Sequence, residues 1–295
     1  MFDPYILRMK NEKWLFEISP KQSLFDLNLK ELWRYRDLLM LFVKRDIITL
    51  YKQTVLGPLW YIIQPLFTSV IFTLVFNNIG NISTNGIPAF LFNLGGITAW
   101  NYFKDCLIDT SDTFKKNEQI FGKVYFPRVI MPMSIIVSNL LKFAIQLFIF
   151  IVFYFYFIAI NAIDFSFSLD LLYLPFLFVS MGVLGLGLGM IISSMVTKYR
   201  DLTFLVSFGV QLLMYLSAVV YPVELIKAKV PKYSWLVEYN PMTIVIENFR
   251  KIVFPTIETR VLPLDIFYML LISFVVFTLG LLIFNKTEKS FIDTI

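Results

Sequence analysis

Apolar residues in this chain arrive in long blocks rather than in short alternating stripes. Crossing about 30 Å of hydrocarbon takes roughly 20 apolar residues in a helix. Six blocks qualify: Leu59–Phe76, Ala89–Leu107, about Pro132–Ile160, Leu169–Val196, Leu202–Tyr221 and Leu262–Phe284. The polar connections between them alternate in basic content. Residues 1–57 hold ten Lys and Arg, the second-to-third connection holds Lys115, Lys116, Lys123 and Arg128, and the fourth-to-fifth holds Lys198 and Arg200. Asn77–Pro88 and Asn161–Ser168 hold none. Basic loops stay on the cytoplasmic side. The pattern therefore predicts an all-α integral membrane protein of six transmembrane helices with both termini inside. Residues 1–57 form a cytoplasmic region, 58–286 the six-span domain and 287–295 a cytoplasmic tail. Within the domain, 108–131 is an inner loop and 222–261 a long outer segment.

Two connecting regions carry a helical period of their own. In Asn28–Val55, Lys30, Arg34, Asp37, Lys44, Arg45 and Lys52 fall near one stripe, with Leu29, Trp33, Met40, Val43, Ile47 and Tyr51 opposite. A basic face backed by a Trp-bearing apolar face predicts an amphipathic helix in the inner membrane surface. Gly57-Pro58 ends it. The outer segment mixes apolar residues with charges, and Asn240-Pro241 reads as a helix cap followed by proline at the first helical position. The expectation is a pair of short re-entrant helices before the last span.

Composition narrows the chemistry. The chain is 58% hydrophobic, 18% aromatic and 16% charged, so its net charge of +5 reports topology and not nucleic-acid binding. It lacks histidine and has one cysteine, Cys106, which removes the commonest general base and any intrachain disulfide. No phosphate-binding P-loop occurs, so the chain itself is expected to hold no cofactor, no metal and no catalytic residue. The run GLGLG, Gly185–Gly189, superficially matches a dinucleotide fingerprint, but inside an apolar block small residues for close helix packing explain it better. Asn139, Lys142 and Gln146 form a polar stripe in the third block. They line a water-filled path or a contact; alternatively the span starts near Phe143 and Lys142 snorkels to the interface. The stretch Lys116–Pro132 carries charges unsuited to lipid alongside Phe121, Tyr125 and Phe126, which are unusually apolar for a free loop.

The run RDLLMLFVKRDIITLYKQTVLGPLWYIIQPLF, followed by YFPRVIMP, KYRD and NPMTIVIENFR, resembles the membrane subunit of type-2 ABC exporters for O-antigen, capsule and teichoic-acid polysaccharides. The likeness runs in order from about Leu32 to Phe284. It implies a homodimer in a bacterial inner (plasma) membrane, bound to two copies of a cytoplasmic ATPase that holds ATP and magnesium. Lys115, Lys116, Phe121, Tyr125, Phe126 and Arg128 would then form the surface that meets the ATPase. The first and fifth spans would line the path of a lipid-linked glycan. Their aromatic residues, Trp60, Tyr61, Phe67, Phe72, Phe76, Phe204, Phe208, Tyr215 and Tyr221, would offer weak stacking contacts. Lys44, Arg45 and Lys52 would meet the lipid pyrophosphate, or simply anionic membrane lipids. Other readings share parts of this pattern: a type-2 exporter of a drug, haem or lipid, a membrane-bound glycosyl- or acyltransferase, and a passive channel.

Overall fold

The computed structural model describes residues 29–52, 55–121, 126–163, 168–199, 201–254 and 261–291. Among them every regular element is helical. At the start, α1 (Leu29–Arg34) and α2 (Arg36–Lys52) run into a turn at Gly57, whose φ of 50° suits glycine. Then come α3 (Trp60–Phe72, prolonged by a π-helical turn, Thr73–Ile79), α4 (Ala89–Ser111) and α5 (Thr113–Phe121). The long α6 (Ile130–Ala159) and α7 (Leu174–Val196, preceded by a 3₁₀ turn, Leu169–Tyr173) follow, then α8 (Leu202–Leu216). Three short helices, α9 (Val223–Lys229), α10 (Ser234–Glu238) and α11 (Pro241–Val253), lead to α12 (Pro263–Phe291).

Four helical stretches are long and apolar enough to cross a membrane: Gly57–Ile79, Ile130–Ala159, Leu169–Val196 and Pro263–Glu288. The other two predicted blocks depart from that description for different reasons. Helix α4 has 23 residues, but carries Asn93, Thr98, Lys104 and Asp105. Its neighbours α3, α6, α7, α8 and α11 surround it, and every side chain from Leu91 to Trp100 is buried. A helix walled in by protein need not be apolar on every face. Helix α8 has 15 residues, about 22 Å at 1.5 Å per residue, short of the hydrocarbon thickness. The apolar block predicted to run to Tyr221 unwinds after Leu216, and Ala218 sits in the left-handed region at φ 50°.

Glycine sets the closeness of the central helices. A Cβ on Gly189 would fall 2.6 Å from Thr110 Cβ in α4, and one on Gly187 would fall 2.7 Å from the Phe277 Cα in α12. The GLGLG run thus presses α7 against both neighbours, and van der Waals contact replaces the weak hydrophobic drive between helices in lipid. Buried residues form a large cluster around α4, α6, α7 and α11 and a smaller one joining α2, α5, α6 and the end of α12. The predicted tail starts at 287, whereas α12 continues to Phe291. The first 28 residues and 292–295 lie outside the described residues.

Candidate functional site

At the end of the bundle bearing α2 and α5, a cleft of about 310 Å³ opens between α2, α4, α5 and α6. Its polar lining includes Arg45, Asp46, Asp109, Lys116, Asn139 and Lys142. The Lys142 Nζ stands 3.5 Å from Asp109 Oδ2, and Lys116 Nζ 3.7 Å from Asp109 Oδ1. Asn139 Nδ2 donates to Asp109 Oδ2 at 3.2 Å. One carboxylate therefore serves two ammonium groups and an amide. Across the cleft, Arg45 donates to Asp46 Oδ1 through Nε (2.9 Å) and Nη2 (2.8 Å), and a longer bond at 3.4 Å reaches Asn117. Lys142 lies 5.7 Å from the centre of the Tyr61 ring, on α3, a cation–π approach.

The local sequence explains how these groups meet. Asp109 is on the last full turn of α4, and Lys142 is about 18 Å along α6 at 1.5 Å per residue. A lysine at that depth facing lipid would be costly; here its side chain is 17% exposed and faces a carboxylate. The stripe is thus turned towards protein: Asn139 and Gln146 are buried, and Gln146 Oε1 accepts from Asn101 at 3.4 Å. Val43 buries the other side of α2, and the Arg45 guanidinium reaches the cleft over the Phe42 ring, 5.0 Å from its centre. Helix α2 keeps a second apolar surface exposed, with Met40 and Leu41 each 60% accessible.

The cleft unites residues assigned to three separate roles by sequence: Arg45, Lys116 and Lys142. Lys44 and Lys52 are exposed on α2 and are not part of its lining. The six residues expected on an ATPase-facing surface divide. Lys115 and Lys116 are exposed, while Phe121, Phe126 and Arg128 are buried. Phe121 and Phe126 stack into the smaller cluster, 5.9 Å apart, with Phe126 5.7 Å from Phe42. Arg128 donates to the Glu288 carbonyl at 2.9 Å, with its guanidinium 5.1 Å from the Phe121 ring. These three hold α5 and α6 against α2 and α12 and offer no outward surface, because aromatic area this large gains more from burial than from water. Tyr125 lies outside the described residues.

The aromatic residues of α3 and α8 also divide. Trp60, Phe67, Phe204, Phe208 and Tyr215 are exposed, with Phe204 82% accessible. Phe72 and Phe76 lean on the large cluster, edge to face at 5.4 Å. Tyr61 and Tyr221 are half-buried, and the Tyr221 hydroxyl donates to the Tyr215 carbonyl. On α3 only Pro65 and Ser69 are buried. An apolar face this bare belongs against lipid or another protein.

Two charged positions that organise the ends of the bundle escape sequence reasoning. Asp109 falls just past the expected end of the second span, where a carboxylate reads as part of a loop; the nearby Lys104, Asp105 and Asp112 were the available signal. Arg250 sits in an amphipathic stretch where its charge suggests exposure, yet it is 1% accessible. Its Nη1 donates to the Ala218 carbonyl (2.9 Å) and to Glu247 Oε1 (3.0 Å), and Nη2 donates to the Val219 carbonyl (2.6 Å). The guanidinium lies 3.5 Å from the Phe92 ring centre. Burial pulls the arginine pKa down from its ordinary value, and the Glu247 carboxylate opposes that shift. Asn240 Nδ2 reaches the Leu216 carbonyl and Ser217 Oγ, both at 3.1 Å, and Thr243 donates to the Leu216 carbonyl. The carbonyls freed where α8 unwinds are thereby satisfied by α11, whose own start is capped by Asn240 Oδ1 accepting from Met242 N at 2.9 Å.

A family model described as "ABC-2 type transporter" matches residues 37–254, more than half of the chain. The chain is 27% identical over 259 residues to the O-antigen export system permease protein RfbA of Klebsiella pneumoniae, covering 87% of this chain and 94% of that protein. A second Klebsiella pneumoniae protein of the same name is 25% identical over 258 residues, with the same coverage. The protein of that name from Myxococcus xanthus is 28% identical over 119 residues, 40% of this chain and 45% of that one.

Proposed function

The chain belongs to the ABC-2 type transporter family, and from that premise we propose that it is the membrane subunit of an ATP-driven exporter of lipid-linked polysaccharide. The observation that carries this reading is the likeness to O-antigen export permeases along 87% of the chain. Exposed aromatic faces on α3 and α8 support it, since rings can stack on successive sugars without fixing one geometry, as they do on successive bases of a nucleic-acid strand.

In this proposal, α3, α4, α6, α7, α8 and α12 are the six spans, and both termini are cytoplasmic. The unwound segment after Leu216 completes the crossing of α8 within protein, where irregular backbone is tolerated. Two copies of the chain place the bare faces of α3 and α8 around a common path. Each copy binds one cytoplasmic ATPase, which supplies ATP and magnesium. Helix α5 is the coupling helix, and its exposed Lys115, Glu118 and Gln119 meet the ATPase, while Lys116 turns to the polar cleft beside Asp109. Helices α9–α11 form the outer gate.

The polar cleft receives the lipid pyrophosphate. Lys44 and Lys52 draw it along α2, and Arg45, Lys116 and Lys142 take it up. In its absence Asp46 and Asp109 hold the same cations, and the oxyanion joins or displaces them as a charge-assisted partner, with the open cleft leaving any displaced carboxylate to water. A cell deprived of the chain should retain lipid-linked glycan at its inner leaflet, and the chain with its ATPase should restore surface glycan. Retention of a drug, haem or lipid instead would identify a different cargo. Replacing Tyr61, Tyr215 or Tyr221 by Leu should lower glycan export while the ATPase still co-purifies.

A further inference from the structure

A second cleft, of about 540 Å³, lies at the opposite end of the bundle between α9, α10, α11 and the start of α12. Its charged lining is mixed, with Glu224, Glu238, Glu247 and Asp265 against Lys227 and Lys251. Three of these groups are already engaged, Lys227 with Glu238 at 3.3 Å and Glu247 with Arg250 at 3.0 Å. Among the described residues Lys251 and Asp265 have no ion-pair partner. Asn248, also in the lining, is 1% exposed; its Nδ2 donates to the Ile244 carbonyl, and its Oδ1 has no hydrogen-bond partner among the described residues. A buried acceptor left this way costs about 1–3 kcal/mol, so it points to a donor that arrives with a ligand.

Beside this cleft runs a groove of a different character. It measures about 410 Å³, and Phe103, Leu184, Leu188, Leu213, Ile272 and Val276 make it almost wholly apolar. The two share Tyr239, and both follow α12: Asp265, Tyr268 and Leu271 line the polar cleft, Ile272 and Val276 the apolar groove. From Asp265 to Val276 the trough runs about 16 Å along the helix. A polar cleft beside an apolar groove, the two sharing Tyr239 and one membrane-facing helix, fits an amphiphile, head in one and chain in the other.

We infer that this trough along α12 binds a zwitterionic aminophospholipid. Its primary ammonium group donates to Asp265, Glu247 and the free Asn248 Oδ1, its phosphate meets Lys251, and one acyl chain fills the groove. The surplus of carboxylates disfavours an anionic headgroup. A quaternary ammonium has no N–H for Asn248, whereas a primary one has three. The inference depends on the family's residence in a membrane and not on the identity of the exported cargo.

The test is lipid retention by the purified full chain in its ATPase complex, measured by native mass spectrometry with equimolar phosphatidylethanolamine, phosphatidylcholine and phosphatidylglycerol. Phosphatidylethanolamine should be retained about tenfold over the other two, a difference of roughly 1.4 kcal/mol. That preference should vanish in Asp265→Asn and in Lys251→Gln. Val276→Trp, which fills the groove, should lower retention of all three lipids. Soluble glycerophosphoethanolamine, which has the head without the chains, should not compete. Variants are scored only where the complex elutes as wild type does, and the two headgroup variants sit on different helices so that one can stand in for the other. Equal retention of the three lipids, a preference for phosphatidylglycerol, or an unchanged preference in both headgroup variants would overturn the assignment. None of those results would bear on glycan export.

Discussion

The two ends of the bundle both bury charge, and they do so in opposite ways. At the α8–α11 turn, Arg250 is sealed: 1% exposed, bonded to two backbone carbonyls and a carboxylate, and capped by the Phe92 ring. At the α2–α6 cleft, Lys116 and Lys142 share Asp109 at 3.7 and 3.5 Å, with 56% and 17% of their side chains exposed. Two of the partners of Arg250 are fixed parts of the backbone, and nothing can replace them without unfolding the turn. The partners of the cleft cations are side chains in an open cavity, and another oxyanion can take their place. A buried charge with backbone partners serves the fold; one with exchangeable partners suits a ligand.

That contrast can be pushed to breaking. The largest effect is expected from Arg250→Met, which strands Glu247 and the Ala218 and Val219 carbonyls together. Loss of one partner from a buried pair costs about 3–5 kcal/mol, so the detergent-solubilised chain should unfold at a much lower temperature. Arg250→Lys should recover only part of the loss, because one ammonium cannot reproduce the planar fork that reaches both carbonyls. Next comes Gly96→Ala. A Cβ there would lie 2.5 Å from the Val219 carbonyl oxygen and 2.9 Å from Arg250 Nη2, and such overpacking costs about 1–3 kcal/mol. Thermal unfolding of this variant should approach that of Arg250→Met if the turn is as rigid as its bonding implies.

Asn240→Ala should cost about 1 kcal/mol, the usual worth of a helix N-cap, and more if the bonds to Leu216 and Ser217 act together with it. Chemical denaturation measures the difference. At the other end, Lys116→Gln should change stability by roughly 0.5 kcal/mol or less, because exposed ion pairs contribute little. A stability loss from Lys116→Gln comparable to that from Arg250→Met would erase the distinction between the two ends.

Most of the helices were legible in the sequence, and the reasons are local. The apolar blocks of α3, α6, α7 and α12 stand out by length, Asn240-Pro241 marks the start of α11, and the spacing of Gly185 and Gly189 announces close packing. The short α8 was not legible, because Ser217–Tyr221 is as apolar as a helix in a span. What unwinds it is a set of bonds from Asn240, Thr243 and Arg250, more than twenty positions later in the chain. The inward turn of Phe121 and Phe126 escaped for the same kind of reason: periodicity marks them as apolar but does not say that Phe42 and Phe114 wait to cover them. The cleft itself gathers Arg45, Asp109, Lys116 and Lys142 from four helices, and no spacing rule joins positions that far apart.

The most direct test of this account is surface glycan in cells whose only copy of the chain carries Lys142→Met. Asp109 keeps Lys116 and Asn139 as partners in that variant, so the protein should reach the membrane in wild-type amount and bind its ATPase. Lipid-linked glycan should nonetheless accumulate at the inner leaflet, with surface glycan reduced about tenfold, as expected for loss of roughly 1.4 kcal/mol of interaction with the passing pyrophosphate. Wild-type surface glycan at that same protein level would contradict the account, leaving Lys142 as a buried charge with a structural partner and no part in transport.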